Sequence, residues 1–430
     1  MIKAGQLLNC PHTRPQIETV DQTSAPPNRP SYARPLAGVR VLDLSQGIAG
    51  PYCGMLLALY GADVVKLEPP QGDWGRSLGH RVGDHTAIDL TANRGKRSIA
   101  VDLKPAAGKA LLARLAERCD VFIENFRPGV AARLGAGYAA VREKNPKVIY
   151  LSVSAFGQQG PRRESPGSDT VAQAFSGMMS VNRDPAGVPK ATGFLTADYV
   201  TALYAFQAVS MALAARPYEA EGRHLDVSLA HASAAFLAMK VIEARLEGDA
   251  PRKLNAPAGS YRTRDGWIAV TLTKESHFAS LCRTIGRDDL TAEPRYRDFA
   301  LRARNQQTLV PLIQAALLER STEEWLRDLQ AADVLCSPIH SVSRWLEDPQ
   351  TRATGVVAEE TLRGMPPIPW VRIPGAVHPG PGDARSRWPD IGEHGREILR
   401  EVLMLGEAEI DALIAQGVVL AGAPGNRATR

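Results

Sequence analysis

The sequence predicts an α/β fold, in which a Rossmann-like large domain is joined to a smaller α+β domain. Short β-branched or apolar runs alternate with helical segments at the spacing of a parallel sheet. Two helices are predicted at Pro51–Tyr60 and Ala106–Arg118, and Gly61 suits the end of the first. The strands predicted for this sheet are Val39–Leu44, Val64–Leu67, Ser98–Leu103, Asp120–Glu124 and Val148–Ser154.

The second half of the chain has a different pattern, with longer helices and a compositional break near residues 248–257. The elements predicted there are the apolar helices Ala197–Ala215 and Val227–Glu247, the strands Trp267–Leu272 and Val334–Ile339, and the helical pair His394–Leu405 and Glu407–Gln416. The predicted domain division is a flexible extension at 1–33, the N-terminal part of the large domain at 34–225, a linker helix with the small domain at 226–335, and a return segment at 336–430 that completes the large domain.

Composition and charge narrow the classes of function. Of 430 residues, 44% are hydrophobic and 23% are charged, which is ordinary for a globular protein. No stretch approaches the roughly 18 consecutive apolar residues of a membrane span. The net charge of +5, from 51 basic and 46 acidic residues, is too balanced for a nucleic-acid partner. The sequence therefore predicts a protein that binds neither membranes nor nucleic acid.

Cysteine and histidine spacing predicts neither metal sites nor disulfides. The five cysteines lie far apart without a CxxC pair, and the nine histidines have no metal-ligand spacing. A reducing cytoplasm fits this usage. The first 33 residues are polar and proline-rich, without the apolar core of a secretory signal. GxGxxG, Walker A, GxSxG and HExxH motifs are also absent from the sequence, so it predicts no bound metal or redox cofactor.

Two basic segments at predicted strand ends have a composition that suits a nucleotide. Asn93–Ser98 brings three cations just before a strand, and Lys104 follows that strand. The segment Glu124–Gly129 offers the amide of Asn125 and the ring of Phe126, and Arg133 lies just beyond it. Strand ends are where open α/β sheets bind ligands. The same residues also fit a solvated basic loop and a capped strand-to-helix turn.

Two aspartates open helices. Asp198 begins the apolar helix after Ala197, where the helix dipole and free N–H groups favour an ionised carboxylate. Asp169, in the segment Gly167–Thr170, has the same setting. Each residue fits a capping role as well as a catalytic one.

Taken in series, segments of the chain resemble the CaiB/BaiF family, the class III CoA-transferases. The similarity runs from about residue 35 to 420. The matching segments are Leu36–Asp43, Ala49–Pro51, Gly61–Pro69, Lys96–Ser98, Glu124–Phe126, Gly222–Ser228, Asp265–Gly266, Asp348–Pro349 and Leu405–Gly406.

The resemblance implies an enzyme that moves CoA between carboxylic acids, with the CoA thioester as substrate. Asp198 would be the nucleophile and would carry an anhydride and then a CoA thioester. Apart from the resemblance, we predict a lesser catalytic role for Asp169, as a charge or hydrogen-bond partner near the thioester. Gly47 and Ile48 would border the thioester. Backbone N–H groups near Gly47 and in the lid loop Ala256–Gly259 would bind the oxyanion. The path of the CoA nucleotide and pantetheine would be lined by Val101, Lys104, Asn125, Phe126 and Arg133.

The resemblance also suggests substrates. Succinyl-CoA or another dicarboxylyl-CoA is the expected donor, and Arg76, Lys190 or Arg262 would hold its distal carboxylate. Ile48 and Pro69 replace a glutamine and an arginine of the formyl-CoA transferases, which argues against formyl-CoA and oxalate.

Two other functions stay open beside CoA transfer. α-Methylacyl-CoA racemases of this family pair the aspartate with a histidine thirty residues earlier, but that position is Ser168 here, and a serine is a poor acid/base. A catalytically silent CoA-binding protein would not need Asp198. Finally, the resemblance implies an interlocked dimer of two ring-shaped subunits, with each active site between the large domain of one and the small domain of the other.

Overall fold

The computed structural model describes residues 31–184, 186–248, 255–362, 365–380 and 382–421. The predicted flexible extension at 1–33 lies outside these residues, except for its last three.

The described chain contains thirteen strands and nineteen α-helices. The strands are β1 (Arg40–Asp43), β2 (Asp63–Glu68), β3 (Arg81–Val82), β4 (His85–Thr86), β5 (Arg97–Ala100), β6 (Val121–Glu124), β7 (Ile149–Ser154), β8 (Arg223–Ser228), β9 (Gly259–Arg262), β10 (Trp267–Thr271), β11 (Leu335–Pro338), β12 (Val357–Glu360) and β13 (Ile368–Val371). The helices are α1 (Ala49–Leu59), α2 (Ala87–Ala92), α3 (Ala106–Ala116), α4 (Val130–Arg133), α5 (Tyr138–Lys144), α6 (Asp169–Phe175), α7 (Met178–Val181), α8 (Thr196–Ala215), α9 (Leu229–Phe236), α10 (Ala238–Glu247), α11 (Glu275–Thr284), α12 (Asp289–Ala292), α13 (Phe299–Arg304), α14 (Gln306–Leu317), α15 (Thr322–Ala331), α16 (Val342–Glu347), α17 (Pro349–Thr354), α18 (Gly395–Leu403) and α19 (Glu407–Ala415).

The main sheet has six parallel strands in the order β5-β2-β1-β6-β7-β8. From β1 the chain first moves outward through β2 to β5, and then returns to β6 on the other side of β1. This is the doubly wound strand order, and its direction switches between β1 and β6. The predicted α/β class is confirmed, and the five predicted strands of this sheet are present with ends shifted by at most three residues.

Helices cover both faces of the main sheet. On one face α1 and α8 pack over the sheet, and Cys53, Leu57 and Val209 are among their buried contacts. On the other face α3 and α18 pack against the sheet, with Leu112 and Leu399 in the core. Because α1 is covered by the sheet, by α8 and by Trp370 and Trp388, it is apolar almost all round.

A second, antiparallel sheet has the order β11-β10-β9. It forms a separate core with α11, α14 and α15, in which Tyr261, Leu281, Ile313 and Trp325 are fully or almost fully buried. The predicted strands Trp267–Leu272 and Val334–Ile339 correspond to β10 and β11. The division of the chain into domains stays a prediction.

The predicted helix Val227–Glu247 is wrong in its first part and in its continuity. Residues 223–228 form β8, which pairs with β7 at the edge of the sheet. The Ser228 hydroxyl then accepts a hydrogen bond from the His231 N–H (3.2 Å) and starts α9. At Leu237 the backbone leaves the helical conformation, and α10 follows. An edge strand faces water on one side, so β8 lacks the apolar run that revealed the other strands.

Candidate active site

A cleft of about 320 Å³ opens at the carboxyl ends of β1, β6 and β7, beside the point where the sheet order switches. Ligands of open α/β sheets bind at this place. The cleft brings together five of the predicted site residues, namely Ile48, Asn125, Phe126, Asp169 and Asp198.

Asp198 lies in the first turn of α8, and Asp169 is the first residue of α6. One carboxylate oxygen of Asp169 accepts hydrogen bonds from the backbone N–H groups of Ala197 (2.7 Å) and Asp198 (3.2 Å). Asp169 therefore caps α8 from a different helix, which satisfies N–H groups that have no partner inside the helix. The capping role that the sequence left open for Asp198 belongs to Asp169.

The surroundings of Asp198 make it a weak acid. Burial raises the pKa of its carboxyl from 3.8 to about 7, and the negative charge of Asp169 adds to the rise. A carboxylate that is poorly stabilised by solvent and by N–H donors is a better nucleophile once it is ionised. A strongly raised pKa in a cleft is also typical of functional groups.

Gln173 fixes Asp169, and sequence reasoning missed it. Its side-chain amide donates to the other carboxylate oxygen of Asp169 (2.6 Å) and accepts a hydrogen bond from the Thr192 N–H (2.9 Å). Gln173 is one turn after Asp169 on α6 and is almost completely buried. The spacing of four residues on one helix was the available signal.

The loop after β1 is held by hydrogen bonds to three side chains, those of Asp43, Asn125 and Asp73. The Asp43 carboxylate accepts from the Ser45 N–H (2.9 Å). Asn125 accepts from the N–H of Gln46 (2.8 Å) and donates to its carbonyl (2.7 Å). The side-chain amide of Asn125 thus bonds both backbone polar groups of Gln46, as a neighbouring strand does in a sheet. The structure therefore places Asn125 in the cleft as a support for residues 45–47.

Gly47 is held in the same way, because its N–H donates to the Asp73 carboxylate (2.9 Å). The N–H of Gly47 itself is thus engaged within the protein, and the oxyanion role of N–H groups near Gly47 stays a prediction. Helix α1 begins at Ala49, two residues after Gly47, and both Ile48 and Ala49 line the cleft. The first N–H groups of a helix have no acceptor within the helix.

Trp74 covers Gly47 and forms part of the cleft wall. Gly47 has φ of +79°, and an added Cβ atom would lie 2.7 Å from Cη2 of the Trp74 ring and closer still to Cζ2. Only glycine allows both this backbone conformation and this approach. Trp74 was not among the predicted site residues.

Buried ion pairs underlie this loop. Lys66 pairs with Asp73 (2.8 Å) and Lys96 pairs with Asp43 (2.7 Å), all four side chains being excluded from solvent. The proposal that Asn93–Ser98 neutralises phosphates is therefore wrong: Lys96 is buried, Arg94 stacks on Trp370 and Trp388, and Arg97 pairs with Asp63.

The three cations expected to hold a distal carboxylate lie elsewhere. Arg76 is buried with Glu68 (2.9 Å) and Asp89 (3.3 Å), so that expectation is wrong for Arg76. Lys190 lies 3.5 Å from Asp184, and Arg262 lies on β9; neither lines the cleft.

A second cleft of about 540 Å³ adjoins the first and shares Arg127 with it. Arg133, at the end of α4, Arg163 and Glu164 also line it, and Arg163 pairs with Glu164 (3.0 Å). The lining therefore has three cations and one anion, and its net charge is positive. Among the other residues expected to contact CoA, Val101 is fully buried in the core and bridges to Val419. Lys104 is exposed and lies outside the lining of both clefts. The lid loop Ala256–Gly259 belongs to the second core and does not line the Asp198 cleft of its own chain.

Within the part of the chain that the structure describes, no group of three histidine, cysteine or acidic side chains is arranged to hold a metal ion. That a cofactor is not needed stays a prediction. No helix among these residues is both long and apolar enough to cross a membrane.

The fold and the cleft define an α/β protein with a largely buried carboxyl group of raised pKa at the switch point of its sheet. The model of CoA-transferase family III matches residues 36–395, and the chain belongs to this family. It is an enzyme of the CoA-transferase class, as its relatives are.

Two curated relatives and one solved structure illustrate the similarity. The chain is 32% identical to succinate–glutarate CoA-transferase of Agrobacterium fabrum, over 87% of this chain and 97% of that protein. It is also 32% identical to human succinyl-CoA:glutarate CoA-transferase, over 92% of each chain. The crystal structure of a CaiB/BaiF family protein from Brucella suis has 30% identity and a TM-score of 0.76, covering 86% of this chain and all of that one.

Proposed function

We propose that this enzyme transfers CoA from an acyl-CoA to a carboxylic acid through covalent intermediates on Asp198. The observation that supports this most directly is the pair Asp169–Asp198 in the cleft. One carboxylate caps the helix, and the other faces the cleft with its pKa raised by burial and by its neighbour.

The steps follow from carboxylate chemistry. The ionised Asp198 attacks the thioester carbonyl, the C–S bond breaks, and CoA leaves as a thiolate, so a mixed anhydride remains on Asp198. The thiolate then attacks the aspartyl carbonyl, the acyl group leaves as a carboxylate, and an aspartyl-CoA thioester forms. The incoming acid repeats these steps in reverse. Each step exchanges one anion for another, so no proton has to be delivered.

The basic cleft supports the binding of the CoA phosphates. Arg127 and Arg133 line it, beside the pair of Arg163 and Glu164, and guanidinium groups pair well with phosphate oxygens. Phe126 directly precedes Arg127, the residue that lines both clefts, and it lines the Asp198 cleft, where it would contact the pantetheine arm. Holding CoA by its distant end keeps the thiolate beside Asp198 between the steps.

For the acyl group we propose a dicarboxylate, with succinyl-CoA as a donor to test first. The support comes from the relatives, two of which are named for succinate or succinyl-CoA and glutarate. The apolar wall of the cleft, made by Ile48, Ala49, Trp74 and Leu229, would contact the carbon chain.

We also propose that the active enzyme is the interlocked dimer. The surface of α9 and α10 supports a second copy: Phe236, Met239, Val241, Ile242 and Leu246 are all more than half exposed, and α10 buries no residue in the described chain. Monomers rarely leave a continuous apolar surface of this kind uncovered. Light scattering after size-exclusion chromatography tests this proposal. A stable, active monomer of 46.4 kDa would rule the dimer out.

Trapping of the intermediate tests the proposed chemistry. The enzyme is incubated with succinyl-CoA and then with hydroxylamine, and its peptides are analysed by mass spectrometry. A hydroxamate is expected at Asp198 and at no other aspartate. Asp198→Ala should lose both the label and the transfer, whereas Asp411→Ala, an exposed control on α19, should keep both. Full transfer by Asp198→Ala contradicts the proposal, and epimerisation of a 2-methylacyl-CoA without transfer would favour the racemase alternative.

A further inference from the structure

The wall of the Asp198 cleft contains one large aromatic side chain that takes no part in the covalent steps above. Trp74 is 51% exposed, and it lines the same cleft as Asp198, Ile48 and Leu229. Trp74 is one of the two aromatic side chains in this lining, the other being Phe126.

The position of Trp74 is fixed by a buried carboxylate. Asp73 accepts hydrogen bonds from the N–H of Gly47 (2.9 Å) and from the N–H of Gly75 (2.8 Å), and it pairs with the buried Lys66. One carboxylate thus ties the loop under the indole ring to the short helical turn Trp74–Ser77 that carries it.

Close packing against Gly47 limits the movement of the Trp74 ring toward the loop, although half of the side chain is exposed. The ring covers Gly47, where even a Cβ atom would overlap it. Gly75 is packed against Ile88, since a Cβ atom there would lie 2.9 Å from a methyl carbon of that side chain. The indole limits the shape of whatever occupies the cleft, because its packed face cannot move toward the loop without displacing Gly47.

We infer that Trp74 is a specificity-determining residue, which limits the acyl group on Asp198 to slender, unbranched chains. This inference rests on the proposed function, because the acyl group becomes attached to Asp198 beside Trp74 and Ile48. Acids with a ring or with two substituents next to the reacting carboxyl group need the space that the indole occupies. Unbranched dicarboxylates need only a flat apolar wall along their methylene groups.

The test is a comparison of acceptor acids with matched charge and different width. Transfer from succinyl-CoA to glutarate, 2,2-dimethylglutarate and 2-phenylglutarate is measured for the unsubstituted enzyme, Trp74→Ala and Trp74→Phe. Trp74→Ala should raise the kcat/KM of the wide acids relative to glutarate by about tenfold or more, as expected for filling or opening apolar space. Trp74→Phe should give a smaller rise.

Tyr218→Ala is the matched control, because this aromatic residue is 89% exposed and follows the far end of α8. It should leave the ratios unchanged. Thermal unfolding checks that the half-exposed Trp74 can be shortened without loss of the fold. Unchanged ratios in a folded and active Trp74→Ala enzyme would overturn the inference and leave the proposed function intact. If the unsubstituted enzyme transferred CoA to none of the acids, the proposed function would fail, and the inference with it.

Discussion

Asp169 and Asp198 share one helix start: the carboxylate of Asp169 accepts the backbone N–H of Asp198 at 3.2 Å and that of Ala197 at 2.7 Å. The N–H groups that would stabilise a negative charge on Asp198 are therefore committed to its neighbour. Gln173 holds the other oxygen of Asp169, so the arrangement is rigid. Two acidic residues in similar sequence settings thus have different roles, one as a cap and one as the proposed nucleophile.

The rate of CoA transfer should therefore depend on pH through Asp198. Burial raises its pKa to about 7, with Asp169 adding to the rise, and only the ionised form attacks the thioester. The value of kcat/KM for acyl-CoA should rise with pH around 7 and level off above it. Asp169→Asn should move the midpoint to lower pH, because it removes the neighbouring negative charge. A pH profile that is the same in both enzymes would contradict this role of Asp169.

The same shift predicts a gain in stability from Asp198→Asn. The pKa of Asp198 is about 7 in the folded chain against an ordinary 3.8, so the folded state binds more protons between these values. The free energy of unfolding therefore falls as pH rises across this window. At pH 8 Asp198→Asn should need more urea to unfold than the unsubstituted protein. Its free energy of unfolding should be higher by about 1 kcal/mol, which corresponds to less than one unit of pKa shift. At pH 3.5 the difference should vanish; a variant that is less stable at pH 8 would contradict the prediction.

Most of the sheet could be predicted from the sequence, because its inner strands are continuous apolar runs. Val121–Glu124 and Ile149–Ser154 are buried along their whole length, and such strands need no long-range information to be recognised. The edge strand β8 has mostly polar residues and was predicted as part of a helix. Its conformation depends on pairing with β7, a contact that the local pattern does not contain.

The site was only partly predictable, because charge alone does not show where a side chain points. Lys96 and Arg76 read as surface cations, yet they are buried against carboxylates, and the partner of Lys96 lies 53 residues away. Family resemblance placed Asp198 and Ile48 at the thioester, and the structure has both in one cleft together with Asp169. It could not indicate that Asn125 supports a loop, or that Trp74 covers Gly47, since both are properties of packing.

Asn125 and Arg133 should affect different kinetic constants, although both were expected to contact CoA. Asn125 holds Gln46 through two hydrogen bonds, so Asn125→Ala should misplace the loop at Ile48 and lower kcat about tenfold or more. Arg133 lines the basic cleft, so Arg133→Ala should mainly raise the KM for acyl-CoA. Steady-state kinetics with succinyl-CoA separates the two effects.

Two other exposed cations supply a control and a further prediction for this comparison. Arg142→Ala, on α5 and paired with Glu221, should change neither constant. Lys104→Ala should raise the KM for acyl-CoA if the nucleotide extends past β5, as the family resemblance implies. A rise in KM without loss of kcat in Asn125→Ala would show that its amide binds CoA after all.

Gly47 and Trp74 should be energetically coupled. Gly47→Ala places a Cβ atom inside the indole ring and also forces a non-glycine residue to a φ of +79°. Overlap of this kind typically costs about 1–3 kcal/mol of stability, and the backbone conformation adds about 1 kcal/mol. In the Trp74→Ala background the overlap is gone and only the backbone cost remains.

A double-mutant cycle, measured by urea unfolding, tests this coupling. The coupling free energy should be about 1 kcal/mol or more, with Trp74→Ala rescuing part of the stability lost in Gly47→Ala. Gly160→Ala is the control, because Gly160 also has a positive φ but no neighbour within 4 Å of an added Cβ, so it should show the backbone cost alone and no coupling to Trp74. Additive effects of Gly47→Ala and Trp74→Ala would mean that the indole moves freely away from the loop, which is incompatible with a fixed wall beside Asp198.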